Sequence, residues 1–198
     1  MSTIATTISL VRYSGSIFNQ LNQNACLPSA IYGLIALQAN EYNVTIAPLS
    51  VQQLYNDSRE QAGQFNTDAG SYPSIAFNVA MTKGIANESS FTYGTHNLYV
   101  HPSEAVYTEA ATQKVLSVDT LNIYQTYTNT AKTVADQLMH GKGVLATVVN
   151  QKLADGYVIS GGHEIIIVGT DDATQMYTFQ NSWGAGWGSG GYGKIKYV

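Results

Sequence analysis

Three side chains in this sequence stand in settings that suit covalent acyl chemistry: a thiol, an imidazole and a carboxamide. The only cysteine, Cys26, lies at the front of a helix-like stretch. Exposed N–H groups and the positive dipole end at a helix start favour the thiolate, which is the nucleophilic form. A positioned imidazole takes the remaining proton and forms a thiolate–imidazolium pair. The alternative for a lone cysteine is a small core hydrophobe, since free cysteine is among the most buried residue types. Of the four histidines, His163 stands directly between Gly161-Gly162 and an apolar run ending at Val168. Glycines ahead of a strand let a substrate or another backbone approach closely, which marks Gly162 as a candidate contact. A structural role for His163, with its ring N–H on a carbonyl, is the competing reading. His96, His101 and His140 lie in loop-like or helix-end contexts.

The carboxamide is Asn181. It opens a block, Asn181 to Gly193, that crowds two tryptophans, a tyrosine and six glycines into thirteen residues. An aromatic-capped glycine loop without chemistry has the same composition. What favours chemistry is the place of Asn181 at the end of a strand that follows the His163 strand across a turn. Antiparallel neighbours joined in this way bring such residues side by side. The amide then holds the ring, and Trp183 shields the bond from water.

The elements that must carry these groups read as helices first and strands later. Ile31, Leu34, Ile35 and Gln38 trace a largely apolar helical face in a stretch running from near Cys26, with Pro28 tolerable in its first turn. Ser50 is a candidate N-cap for a helix over Val51–Tyr55, and a third helix spans Tyr72–Lys83 and stops at Gly84. A short helix is expected near Thr130–His140. Val144–Val149 reads as a strand, Glu164–Val168 as a strand buried on both faces, Asp171–Gln175 as a turn, and Met176–Gln180 as a further strand. A helical lobe followed by a strand lobe is an α+β pattern.

Composition narrows the function classes. Among 198 residues, 44% are hydrophobic and only 11% charged. The chain is therefore long and apolar enough to bury a core, while its surface relies on neutral polar groups and tyrosine. A net charge of −4 argues against a nucleic-acid partner. No apolar run approaches the roughly 18 residues of a membrane helix, and the start, Met1–Leu10, lacks a signal-peptide pattern. A single cysteine allows no internal disulfide. No cofactor is expected, and no metal site either, because the histidines are scattered. The glycine-rich block follows a strand without opening a helix, which argues against nucleotide binding.

Taken in order, these motifs resemble the papain-like cysteine peptidases. Gln20 stands six positions before Cys26. Gly161-Gly-His163-Glu-Ile-Ile-Ile-Val-Gly169 is similar to the family's histidine motif. Asn181-Ser-Trp-Gly-Ala-Gly-Trp-Gly-Ser-Gly-Gly-Tyr192 matches the family's closing block almost letter for letter. Leu49-Ser-Val-Gln-Gln-Leu54, Asp68-Ala-Gly-Ser-Tyr-Pro73 and Gly143-Val-Leu-Ala-Thr-Val148 resemble further family segments in the correct order. The resemblance implies a two-lobed papain-like fold, with a helical lobe packed against an antiparallel β-barrel-like lobe. Residues 1–198 would form one catalytic domain, about 11–105 carrying the nucleophile and about 106–198 carrying histidine and asparagine.

The resemblance further implies Cys26 as nucleophile, His163 as its proton partner, Asn181 as the group orienting the ring, and Gln20 in the oxyanion hole. Ala69, Gly70, Gly162 and Trp183 would line the peptide, with Gly70 offering its backbone. The partner implied is a peptide or protein substrate, with neither nucleic acid nor membrane.

The departures from the family are specific. Leu27 replaces the usual tryptophan, Gln23 stands where a cysteine is common, and Glu164 replaces an alanine. Glu164 is expected either to raise the pKa of His163 or to face solvent. The segment from Asn150 to His163 is short, which would open the leaving-group side. No long inhibitory propeptide precedes Gln20, and the disulfide-free pattern looks bacterial or viral. The location expected on that resemblance is the cytoplasm of a bacterium or infected cell, or a virion. A transpeptidase or deamidase using the same thiol, and a catalytically idle binding or structural member, are the other classes.

Overall fold

The computed structural model describes residues 7–121 and 127–197, so the first six residues of the Met1–Leu10 segment read above lie outside the described residues. In chain order the elements are β1 (Thr7–Ser9), α1 (Cys26–Glu41), α2 (Val51–Gln61), α3 (Pro73–Thr82), α4 (Glu104–Ala110), α5 (Tyr127–Met139), β2 (Val144–Lys152), β3 (Val158–Asp171), β4 (Met176–Gln180) and β5 (Tyr192–Lys196). The chain divides into two units. One comprises residues 20–32 and 46–119; the other comprises residues 1–19, 33–45 and 120–198. Among the described residues, no helix is long and apolar enough to cross a membrane.

The first unit is helical and is organised by α2. Ser50 is its N-cap, as its spacing predicts, and accepts the Gln53 N–H at 3.0 Å. The helix runs well past Tyr55 and is buried from Val51 to Arg59. Its polar side chains are hydrogen-bonded inward. Gln53 spans from Asp57 to the turn at Gly84–Ala86, donating to the Gly84 carbonyl and accepting the Ala86 N–H. Buried amides and carboxylates survive only with such partners. Beyond α3 the chain turns at Gly84, where φ is +85° and an added Cβ would lie 1.9 Å from the Ala110 carbonyl oxygen. Glycine is obligatory there. The seven-residue α4 escapes sequence periodicity because it is too short to define a face; it buries Val106 and Ala110 against Ala86 and Phe91.

The second unit is built on the long strand β3. Along one edge β3 pairs with β2, from Val158 to Ile167, and then with β1, at Gly169–Asp171; along the other it pairs with β4. β5 continues the sheet beyond β4, and all pairings are antiparallel. The loop after β2 reaches the far strand, where the Ala154 N–H donates to the Lys194 carbonyl at 3.0 Å. The sheet thus curls part of the way towards closure. Residues 163–170 are buried, as the apolar run predicts. The second half of α1 lies on this sheet at Gly33, where a Cβ would approach Ile166 Cδ1 to 2.5 Å.

Candidate active site

His163 sits well inside β3 rather than at its start, because the strand begins at Val158, five residues before the histidine. A bulge makes this extension possible. The β2–β3 register shifts between Val149 and Gln151, and Asn150 adopts a positive φ of 47°. Its Oδ1 accepts the Gly161 N–H at 2.8 Å, fixing the backbone two residues before the histidine. Gly162 is exposed, and a Cβ there would meet nothing within 4 Å. The space that the glycines predict is open.

The imidazole itself is buried. Its Nε2 lies 2.7 Å from Asn181 Oδ1, which also accepts the Ser182 backbone N–H at 2.8 Å. A backbone N–H donates only to an acceptor, so the Asn181 atom facing both groups is its oxygen. Nε2 therefore carries a proton, and Nδ1 is the nitrogen left to exchange one. Burial holds the His163 pKa below its ordinary value, with the Asn181 bond opposing the shift. The neutral ring is favoured until a negative partner stabilises the cation.

Trp183 covers this pair, its ring stacked on the imidazole with centroids 4.7 Å apart. Trp187 meets Trp183 edge-on at 5.2 Å, and Tyr157 meets both indoles edge-on. The glycines of the closing block make room for these rings. A Cβ at Gly193 would lie 2.5 Å from Phe179 Cζ and 2.9 Å from Trp187 Cη2. Gly184 donates to the Phe18 carbonyl, and Asn19 bridges to Trp183, so the opening of the block is anchored to residues 18 and 19. His163, Asn181 and Trp183 are thus brought into contact as the sequence predicts, within the sheet unit.

Glu164 does neither thing expected of it. It is buried, and accepts the Thr147 hydroxyl proton at 2.8 Å. Consecutive strand residues point to opposite faces, which directs this carboxylate away from the imidazole before it. Burial raises its own pKa, the Thr147 bond partly offsetting this, while that of His163 is lowered.

Cys26 and Gln20 belong to the helical unit. Cys26 is half-buried and is the first residue of α1, immediately after Ala25, whose carbonyl accepts the Ser29 N–H at 3.0 Å. Pro28 occupies the first turn, where its missing N–H costs nothing. Gln20 is buried; its amide donates to the Gln23 carbonyl at 2.8 Å, and its own carbonyl accepts the Tyr93 hydroxyl at 2.8 Å. Burial, reinforced by the charges of Asp68, Cys26 and Glu88, raises the Tyr93 pKa and keeps that hydroxyl protonated. Gln23, which stands where a cysteine is common, pairs amide to amide with Gln52 at 3.0 and 3.1 Å. A neutral polar clasp thus joins this segment to α2. Gly70 has a φ of +82°, with Asn24 O the nearest atom to its Cβ direction at 3.8 Å; Ala69 beside it is exposed. Tyr93, Gln52, Asn150 and Asn19 are the supporting groups that sequence reasoning missed. Only the Gln23 substitution signalled any of them. Among the described residues, no group of three or more acidic, histidine or cysteine side chains could hold a metal.

With this geometry in view, comparison with known proteins is decisive at the family level. The sequence matches the family described as "Papain family cysteine protease" over residues 12–198. The chain belongs to that family. Its members are thiol hydrolases that act on peptides and proteins, and the α+β fold is papain-like. Xylellain, a cysteine protease from Xylella fastidiosa, superposes with a TM-score of 0.84 at 19% identity, covering 96% of this chain and 79% of its own. The bromelain protease from Ananas comosus, solved with the E64 inhibitor, gives 0.71 at 17% identity, covering 98% and 91%. Digestive procathepsin L 3 of the Tenebrio molitor larval midgut gives 0.71 at 17% identity, covering 98% of this chain and 66% of its own. The search of curated protein sequences gave no match.

Proposed function

We propose that this papain-family protein is a cysteine endopeptidase in which Cys26, His163, Asn181 and Gln20 carry the reaction, the two units working as one catalytic domain. The observation that supports this most is the Asn181 oxygen between the Ser182 N–H and His163 Nε2, which leaves Nδ1 as the proton-exchanging nitrogen. The Cys26 thiol gives its proton to Nδ1, and the thiolate attacks the scissile carbonyl carbon. The carbonyl π electrons move to oxygen, where the Cys26 N–H and the Gln20 amide stabilise the oxyanion. Each such donor contributes on the order of 3 kcal/mol.

Collapse of the intermediate breaks the C–N bond, and the imidazolium protonates the leaving amine. Water then adds to the thioester with His163 taking its proton, and the thiolate departs from the carboxylic acid product. Ala69 and Gly70 line the acyl side of the peptide, Gly162 and Trp183 the leaving side. Gly70, whose N–H is held by Tyr55, would offer its backbone to an extended chain.

The test pairs peptide hydrolysis with labelling of Cys26 by iodoacetamide and by an epoxide inhibitor. The expected result is labelling much faster than that of a free thiol, and loss of turnover in Cys26→Ala with its melting temperature retained. Turnover equal to wild type in that variant would overturn the mechanism. Product analysis with an added amine separates hydrolysis from transpeptidation, because a transpeptidase diverts the thioester to the amide.

A further inference from the structure

Around the carboxylate of Asp68, several groups outside this chemistry converge. Asp68 Oδ1 accepts the Asn24 backbone N–H at 3.0 Å and also the Tyr55 hydroxyl proton. The Asn24 side-chain amide donates to the Asp68 backbone carbonyl at 2.6 Å. The Tyr55 oxygen in turn accepts the Gly70 N–H at 3.1 Å. Tyr55 is fully buried on α2, and one helical turn later the Arg59 guanidinium lies 4.4 Å from its ring. Arg59 donates to the carbonyls of Phe65 and Thr67, at 2.7 and 2.9 Å. The loop from Phe65 to Gly70 is therefore tied to one buried helix at Arg59 and Tyr55. Asp68 ties the same loop to Asn24, two residues before Cys26.

From this arrangement we infer that Tyr55 and Asp68 are positioning residues for peptide binding: together they fix the Gly70 backbone against the segment that carries the nucleophile. Tyr55 is suited to the task because its hydroxyl both donates and accepts, whereas a phenylalanine ring fills the same space with neither capacity. The carboxylate strengthens the bonds made to it, as charge-assisted hydrogen bonds are stronger than neutral ones. This inference rests on the reading of Gly70 as part of the peptide-binding wall. It adds the device that holds that wall in register.

The test uses the full chain carrying Tyr55→Phe, Asp68→Ala or Asp68→Asn. Each variant is assayed on two fluorogenic peptides, one with three residues ahead of the scissile bond and one with a single residue. Iodoacetamide alkylation of Cys26 and amide hydrogen exchange at Gly70 are measured alongside. Tyr55→Phe and Asp68→Ala are expected to raise KM for the longer peptide roughly tenfold, the scale of one lost hydrogen bond. They should quicken Gly70 exchange by a similar factor while alkylation stays within about twofold of wild type. Asp68→Asn keeps an acceptor oxygen and should recover most of the loss. An unchanged or lower KM, equal losses on both peptides and on alkylation, or unchanged Gly70 exchange would each overturn the inference. If Asp68→Ala is too unstable to assay, Tyr55→Phe, which keeps the buried ring, decides alone. Full turnover by Cys26→Ala would instead remove the peptidase reading, and Gly70 exchange would still report on the clasp.

Discussion

His163 Nε2 donates to Asn181 Oδ1 across 2.7 Å, and the Ser182 N–H on the same oxygen decides which amide atom faces the ring. Among the described residues the amide nitrogen of Asn181 is buried with no hydrogen-bond partner, so the hydrogen bonds that hold this side chain there are made by its oxygen. Removing it should free the ring to rotate while leaving both nucleophile and proton carrier in place. Asn181→Ala is expected to lower kcat by about 10- to 100-fold, as one orienting hydrogen bond would, with little change in KM. Steady-state kinetics on a peptide substrate check this. A loss as complete as that of Cys26→Ala would mean that Asn181 does more than orient.

The aromatic shield over that bond depends on a glycine outside it. Gly193 lies on β5, and a methyl group there would meet Phe179 and Trp187, both well inside contact distance. Neither ring can bend out of the way as an aliphatic chain end would. Gly193→Ala should cost about 1–3 kcal/mol, the usual penalty of overpacking. A thermal melt measures the cost, and tryptophan fluorescence should shift in the folded variant as Trp187 and Trp183 move apart.

Why this site was legible while its supports were not follows from the residues. Cys26, His163 and Asn181 stand out because each is chemically rare in its setting and because glycines or aromatics flank it in fixed order. Val144–Val149 and Glu164–Val168 are legible because β-branched and apolar runs report burial directly. The run Asn56-Asp57-Ser58-Arg59 has the composition of a solvated helix end, yet all four residues are buried. Its burial is made possible by partners 8 to 50 positions away, among them Thr67, Leu98 and Tyr107, and no local pattern encodes such pairings. β1 is too short to show alternation, and β5 begins inside the glycine block, where glycine hides the period of 2.

Glu164 gives a pH signature with a definite sign. Burial raises its carboxyl pKa above the ordinary 4.5. The folded state therefore holds a proton that the unfolded state releases as pH rises past that value, and stability falls through the window up to the folded pKa. One carboxyl oxygen also lacks a hydrogen-bond partner among the described residues. Glu164→Gln removes the charge and keeps an acceptor for Thr147. The melting temperature of the variant relative to wild type should be near zero below pH 4.5 and should climb as pH rises towards neutrality. A pH-independent difference would show that the carboxylate is not buried as described.

Arg59 tests whether the buried polar helix is held by geometry or by charge alone. The side chain is fully buried, and its two terminal nitrogens reach four acceptors: the carbonyls of Phe65, Thr67 and Leu98, and Asn56 Oδ1. A guanidinium serves acceptors spread in one plane because its donors are fixed in a fork. A lysine keeps the charge but has three donors on one atom, so at least one carbonyl loses its partner in a dry site. An unsatisfied buried acceptor costs about 1–3 kcal/mol. Arg59→Lys should therefore lower stability by roughly 2–4 kcal/mol in urea denaturation, allowing for a partly desolvated ammonium. If charge alone were sufficient, lysine would match arginine within a few tenths of a kcal/mol, as surface substitutions do.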